Sequence, residues 1–308
     1  MKTFISIILL SVFISSLSAQ KADLKLNLEL NKTYRAKLSS TVNTKQTVQG
    51  NEQSNQVINT MVISLTPLKS DKDGIISQVQ FDTIITKIST PQMEVNSANK
   101  GDIRSSDPGK VMDCIVNRLS NSTLLVKLSN KGEVDSIMNI EQVASTVLQD
   151  IDSMEGNLAP FLKSRAEMMV NKESLKSMIE VFTAYLPGEK IKVGDKWDSK
   201  LTSSSGGMNM KVNTTYKLND VSKDAAEITG DVITESDQSE PMKMNGAEIL
   251  PDISGLGKTE ITADPHTGWI IKGTNKQQLK GDLNVNAQGN SMQIPMEINS
   301  VAEINALQ

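Results

Sequence analysis

The chain has 308 residues, 38% of them hydrophobic and 22% charged, a balance that fits a folded protein with one large core or two smaller ones. A formal net charge of −4 and an aromatic content of 3% leave neither a cationic surface to neutralise phosphates nor rings on which bases and sugars stack, so nucleic acid is excluded as a partner. The one cysteine, Cys114, cannot form an intramolecular disulfide, so burial and strand pairing must hold the fold. Within Val111–Val116 it reads as a buried apolar thiol rather than a reactive group.

In chain order, Lys2, the apolar run Phe4–Ile14 and the small-residue exit Ser15–Ala19 read as a secretory signal peptide, residues 1–19, cleaved after Ala19. No later apolar stretch approaches the roughly 20 residues of a membrane helix. The first mature position is Gln20 rather than an acylated cysteine, so the expectation is a periplasmic or secreted protein, not a lipoprotein and without an integral membrane segment.

Residues 20–135 read as an N-terminal β half. Leu24, Leu26, Leu28 and Leu30 alternate with polar residues, the period of a strand wet on one face. Val48–Gln56 and Asn96–Lys110 are rich in Asn, Gln and Ser and read as loops. At Asp135 the period changes. Ile137, Ile140, Ala144, Val147, Leu148 and Ile151 follow helical spacing, which predicts a helix over about 136–153 capped by Asp135. Leu158, Phe161, Leu162, Met168 and Met169 predict a second helix. Leu175, Met178, Ile179 and Phe182 predict a third, starting at the cap Asn171 and stopping by Pro187-Gly188. This helical insert covers 136–189.

Residues 190–308 read as a second β half, with Met292, Ile294, Met296 and Ile298 alternating near the end. Ser203–Gly207 reads as a loop and Glu235–Pro251 as a flap. The halves repeat each other. Leu28–Ser40, with Tyr34, matches Ile191–Ser203, with Trp197; Lys72-Asp73-Gly74 matches Lys223-Asp224-Ala225; the turn Asn130-Lys131-Gly132 matches Asp264–Gly268. The fold class is therefore α+β, mainly β: duplicated, antiparallel, curved sheet halves with an inserted helical segment covering the apolar face, residues 20–308 forming one cooperative unit.

No catalytic or metal-binding constellation emerges, and no cofactor is expected. His266, the single histidine, lies in a turn without a partnering carboxylate or second ligand. Lys69–Gly74 has its glycine too early for a calcium loop and lacks the terminal glutamate. Ser204-Ser205-Gly206-Gly207 lacks the Lys-Ser/Thr of a phosphate loop. Carboxylates are scattered, with few aromatics to line a sugar cleft. Methionines are more suggestive, since their adaptable side chains suit varied apolar partners: Met138, Met154, Met168, Met169 and Met178 in the helices, and Met242, Met244, Met292 and Met296 in the last strands.

The signal peptide, the Gly194-Asp195-Lys196-Trp197 turn and the Asp264-Pro265-His266-Thr267-Gly268 hairpin resemble a family of exported bacterial proteins of unknown function. The resemblance implies no catalytic residues. By fold analogy alone, a curved sheet closed by helices is similar to periplasmic lipoprotein-carrier and lipid-binding half-barrels. The first reading is a non-catalytic binding protein for a lipid or other apolar ligand, held where Ile140, Val147, Phe161, Met168 and Met178 meet the sheet. The alternative is a structural or protein-interaction component of the bacterial envelope without a small-molecule ligand.

Overall fold

The computed structural model describes residues 21–48, 50–89, 92–154, 156–205, 208–238, 241–244, 247–287 and 290–308; the signal-peptide expectation over 1–19 lies outside them. The first half holds β1 (Lys21–Leu24), β2 (Tyr34–Val48), β3 (Asn51–Asp71), β4 (Gly74–Ser89), β5 (Gln92–Asn96), helix α1 (Pro108–Ser120), β6 (Leu124–Leu128) and β7 (Val134–Ile137). Helices α2 (Ile140–Val147), α3 (Ala159–Val170) and α4 (Lys172–Thr183) follow, with a 3-10 turn at Ile151–Ser153. The second half holds β8 (Glu189–Lys192), β9 (Lys196–Ser205), β10 (Met208–Val221), β11 (Ala226–Ser236), β12 (Met242–Met244), β13 (Ala247–Ala263), β14 (Ile270–Ala287) and β15 (Asn290–Leu307).

One curved antiparallel sheet runs β7-β6-β4-β3-β2-β15-β14-β13-β11-β10-β9, with β5 added to β4 and β12 to β13. Its outermost strands do not meet, so among the described residues the sheet is not closed into a barrel. Two meanders meet where β15 pairs with β2. Alternation sends Ala36, Ile63, Leu65, Val79 and Phe81 inward, all fully buried, and leaves the other face to charged and polar side chains such as Lys37, Lys258, Glu260 and Glu297. The helices lie on the apolar face: α1 against β4 and β5, α4 against β7 and β9, with α2 and α3 packed on their helical neighbours.

The repeated motifs share their geometry. Asn31 and Gly194 both adopt positive φ, 61° and 96°. The Asn31 N–H donates to Pro67 O on β3 (2.8 Å) and the Gly194 N–H to Leu218 O on β10 (2.7 Å). The next residue closes each turn three positions back, Lys32 onto Glu29 and Asp195 onto Lys192. The later hairpins share a glycine in the left-handed region that suits it, although Gly132 N–H bonds Ser129 O three residues back and Gly268 N–H bonds Asp264 O four residues back. A side chain at Gly132 would meet Thr183 O, and one at Gly268 would meet Lys25 O.

Several expectations are corrected. The stretch from Leu24 to Leu30 is not one strand. Only Lys21–Leu24 pairs, with β8, and the chain then runs between the two hairpin turns, held by Leu26 N–H to Asn130 O and Asn27 N–H to Thr267 O. Leu24, Leu26 and Leu28 are still buried, whereas Leu30 is half exposed. Val48–Gln56 is not a loop, because polar side chains pair across the ladder, Gln46 to Gln53 and Gln56 to Asn43, and carry β2 and β3 to a tight turn. The helix expected over 136–153 starts late: Val134–Ile137 pairs with β6 as β7, and α2 follows Asn139 instead of Asp135. Strands also claim much of Glu235–Pro251, with β12 folded onto β13.

Helix α1 falls in the first half, where none was expected. Asp107 caps it by accepting the Gly109 N–H at 2.8 Å, and Pro108 fits its first turn. Val111, Ile115, Val116 and Leu119 are buried, as is Cys114. Asp113 is buried among them because its carboxylate accepts the Asn96 N–H and the Asn99 amide, locking β5 to the helix. Val111, Met112, Ile115, Val116 and Leu119 keep helical spacing opposite Lys110, Asp113 and Asn117, a period that adjoins the stretch read as a loop.

Candidate functional site

A groove opens between the concave sheet face and helices α3 and α4. It has two lobes of about 460 and 330 Å3, which share Leu38, Ser40, Val42, Ser177, Val181 and Ser203 in their walls. The first lobe runs under the methionines of α3 and α4, facing β2, β3 and β4. The second lies over β9, β10, β13, β14 and β15.

Helical spacing builds the roof. On α4, Leu175, Ile179 and Phe182 enter the core, while Ser174, Ser177, Met178 and Val181, spaced i, i+3, i+4 and i+7, face the groove. On α3, Leu162, Ala166 and Val170 are buried and Arg165, Met168 and Met169 line the groove. Asn171 sets the corner between the two helices, its side chain accepting the Ser174 N–H at 2.8 Å.

The floor changes character along its length. Beneath the second lobe the inward positions are small or hydroxyl-bearing: Gly273, Ala302, Thr214, Thr259 and Ser300. Thr259 donates to Thr274 O, and Gln277, also in this wall, donates to Asn275 while it accepts from Thr234. Farther along the same sheet face, Ile253, Leu279 and Met296 form a second apolar cluster with Met208, Met210, Leu283 and Ile298 against it.

Three titratable side chains bound the second lobe. Tyr185 and Tyr216 are kept protonated by burial, which drives Tyr185 well above the ordinary phenol value and Tyr216 up to about 12. The Tyr185 hydroxyl donates to Gly268 O at 2.8 Å, and Trp197 donates its indole N–H to Tyr185 O and stacks on Tyr216 at 5.6 Å. Glu180 is buried, and burial raises its carboxyl to about 7. Its Oε1 accepts the Val134 N–H at 2.8 Å and lies 3.6 Å from Lys176 Nζ, but its Oε2 has no hydrogen-bond partner.

Of the residues proposed from sequence for ligand contact, the structure brings Met168 and Met178 together in the first lobe. The other three lie elsewhere: Val147 is fully buried in the core, and Ile140 and Phe161 pack against it without lining the groove. Sequence reasoning missed Arg165, Ser177 and Val181 on the helices and Leu38, Ser40 and Val42 on β2. The signal was present on α4 as a second stripe, Ser174, Ser177, Met178 and Val181, beside the core stripe.

His266 is exposed in its turn, and among the described residues no group of three or more His, Cys, Asp and Glu converges to hold a metal ion. No helix among the described residues is long and apolar enough to cross a membrane.

Fold and groove together define an antiparallel, mainly β protein whose large curved sheet is covered on one face by helices that leave an apolar cleft. The model of a family of unknown function (DUF6263) matches residues 72–270, more than half the chain, and the chain belongs to that family. No curated protein matches it. Among solved structures it is similar to lipovitellin, in a structure concerned with lipid–protein interactions, at 11% identity and a TM-score of 0.47 over 91% of this chain; it spans 25% of that chain. It is also similar to OccK5 (OpdH) of Pseudomonas aeruginosa, at 5% identity and a TM-score of 0.21, covering 91% of this chain and 99% of the other. An outer membrane channel from Pseudomonas putida F1 follows at 8% and 0.18, covering 92% and 97%. Likeness at this level defines no function.

Proposed function

We propose that this chain is an exported, non-catalytic binding protein whose groove takes an apolar ligand such as a lipid chain. The observation that carries the reading is the groove itself: two adjoining lobes of ligand size, roofed by Met168, Met169, Met178 and Val181 and floored by Leu38, Val42 and Met61. Methionine suits this role because its flexible, polarisable side chain adapts to chains of different shape. The apolar cluster around Ile253, Leu279 and Met296 continues the same face beyond the helices, its three central side chains buried. Export rests on the signal-like sequence before Gln20.

Protein recovered from its native host should begin at Gln20 by intact-mass analysis and should release a lipid on organic extraction. After delipidation it should take up a fluorescent fatty acid with saturable, one-to-one stoichiometry. Failure to carry lipid and failure to bind the probe would together remove the ligand-binding reading and leave the envelope-interaction reading in its place.

A further inference from the structure

We propose that Arg165 receives the anionic head, a carboxylate or a phosphate, of a single-chain amphiphile whose tail lies in the groove. This rests on the apolar-ligand reading and assigns the ligand a polarity and a direction.

Arg165 is the one charged side chain in the wall of the first lobe, where it stands one helical turn from Met168 and Met169. It is exposed and makes no hydrogen bond or ion pair among the described residues, unlike Arg35 and Arg118, which are engaged with Asp82 and with the Val147 and Gln149 carbonyls. A guanidinium at the rim of an apolar cleft keeps its stem against the apolar wall and its donors in water, where a planar, two-oxygen anion can pair with it. The Ser174 hydroxyl lines the same lobe and can supply another donor. The opposite end argues for the same direction. The second lobe has no Lys, Arg or His among the described residues of its wall and has the buried Glu180 carboxyl there, so it offers an anionic head no cation. Head at Arg165 and tail toward Leu201, Val212 and Ile304 is the arrangement that matches charge at one end and apolar surface at the other.

The test uses delipidated protein and four probes of equal chain length: palmitate, methyl palmitate, hexadecanol and 1-palmitoyl lysophosphatidate. Wild type should bind the better of the two anions roughly three- to tenfold more tightly than the ester and the alcohol, a ratio suited to a partly exposed charge-assisted pair, and the ratio should shrink as salt is raised. Which anion binds more tightly names the head. Arg165→Gln should bring the ratio toward one, Arg165→Lys should retain part of it, and Arg165→Glu should invert it. Thermal melts serve as the folding control, since Arg165 makes no internal bond to lose. Equal binding of anion, ester and alcohol by wild type, or a ratio unmoved in Arg165→Gln, overturns this assignment while leaving the apolar groove intact. Absence of binding by all four probes overturns the groove reading itself, and this assignment with it.

Discussion

The two halves of the sheet can be laid over each other rung by rung, and they differ in what they put inside. In the first, Tyr34 pairs with Leu65, Leu65 with Val79 and Val79 with Leu124; in the second, Trp197 pairs with Tyr216, Tyr216 with Gly230 and Gly230 with Thr259. One rung on, Ile63 and Phe81 stand where the second half has Thr214 and Val232. Large aliphatic and aromatic side chains fill the first half and leave no exposed core atom at Ile63, Leu65, Val79 or Phe81. Glycine and threonine at matching places lower the floor of the second half, and there the second lobe of the groove opens, while the first lobe lies over β2, β3 and β4 at other rungs of the first half. At these matching rungs the same ladder geometry thus supports a packed core or the second lobe of the groove, side-chain volume and the helix packed above both differing between them.

Changes in core volume should separate the halves most. Phe81→Ala should destabilise the protein by about 3–5 kcal/mol in urea unfolding, because a fully buried ring leaves a cavity. Val232→Ala, at the matching place, should lose roughly half as much, since it deletes only two methyl groups. Equal losses would show that both halves are packed alike.

The shared turns make the opposite prediction, of similarity. Gly132→Ala and Gly268→Ala should each cost about 2–4 kcal/mol, combining a left-handed backbone with a clash on a carbonyl oxygen. Gly194→Asn should be close to neutral, because Asn31 holds the equivalent turn at positive φ and nothing lies near a side chain at Gly194. A large loss there would break the equivalence of the two entry turns.

Glu180 gives a pH signature to the helix that roofs the groove. Its folded carboxyl sits at about 7 against an ordinary 4.5, so the folded state holds a proton that the unfolded chain has released. The stability this contributes is full below about pH 4.5 and is lost as pH rises through about 7. Glu180→Gln, which never ionises, should therefore exceed wild type by on the order of 2 kcal/mol at pH 8 and by little at pH 4, read from melts across that range.

The smallest effect on stability should accompany a large one on binding. Ser40 lies in the wall shared by both lobes, so Ser40→Leu should change stability by less than about 1 kcal/mol while sharply reducing uptake of the fatty-acid probe. Unchanged uptake would mean that the lobes do not act as one groove.

The alternation of Met292 to Ile298, the Asn171 cap and the repeated Tyr34 and Trp197 turns were legible because each is local: strand period, cap chemistry and turn spacing are written within a few residues. Helix α1 was legible and was passed over: Val111, Ile115 and Leu119 keep helical spacing opposite Lys110, Asp113 and Asn117, but the short run begins inside the polar stretch Asn96–Lys110. The end of the run at 136 was not legible: Val134–Ile137 is extended because β6 offers it a ladder, and no residue in that run states that β6 is there. The groove was half legible. Met168 and Met178 were visible as methionines in helices, but Val147 and Phe161 have the same apolar character and point elsewhere.

By itself the sequence determined the mainly β class, the duplication and the positions of α3 and α4, all of which follow from composition, period and turn chemistry along the chain. Tertiary structure decided that β2 and β15 join the halves into one sheet, that α1 and α4 each take a different part of its apolar face, and that a cleft remains between α3, α4 and the sheet. Those outcomes depend on which side chains meet across hundreds of residues, Ser40 with Ala302 or Leu38 with Ile304, and on whether their summed volume fills the space between layers. A linear pattern records which face a residue takes, but not how much room its distant partners leave.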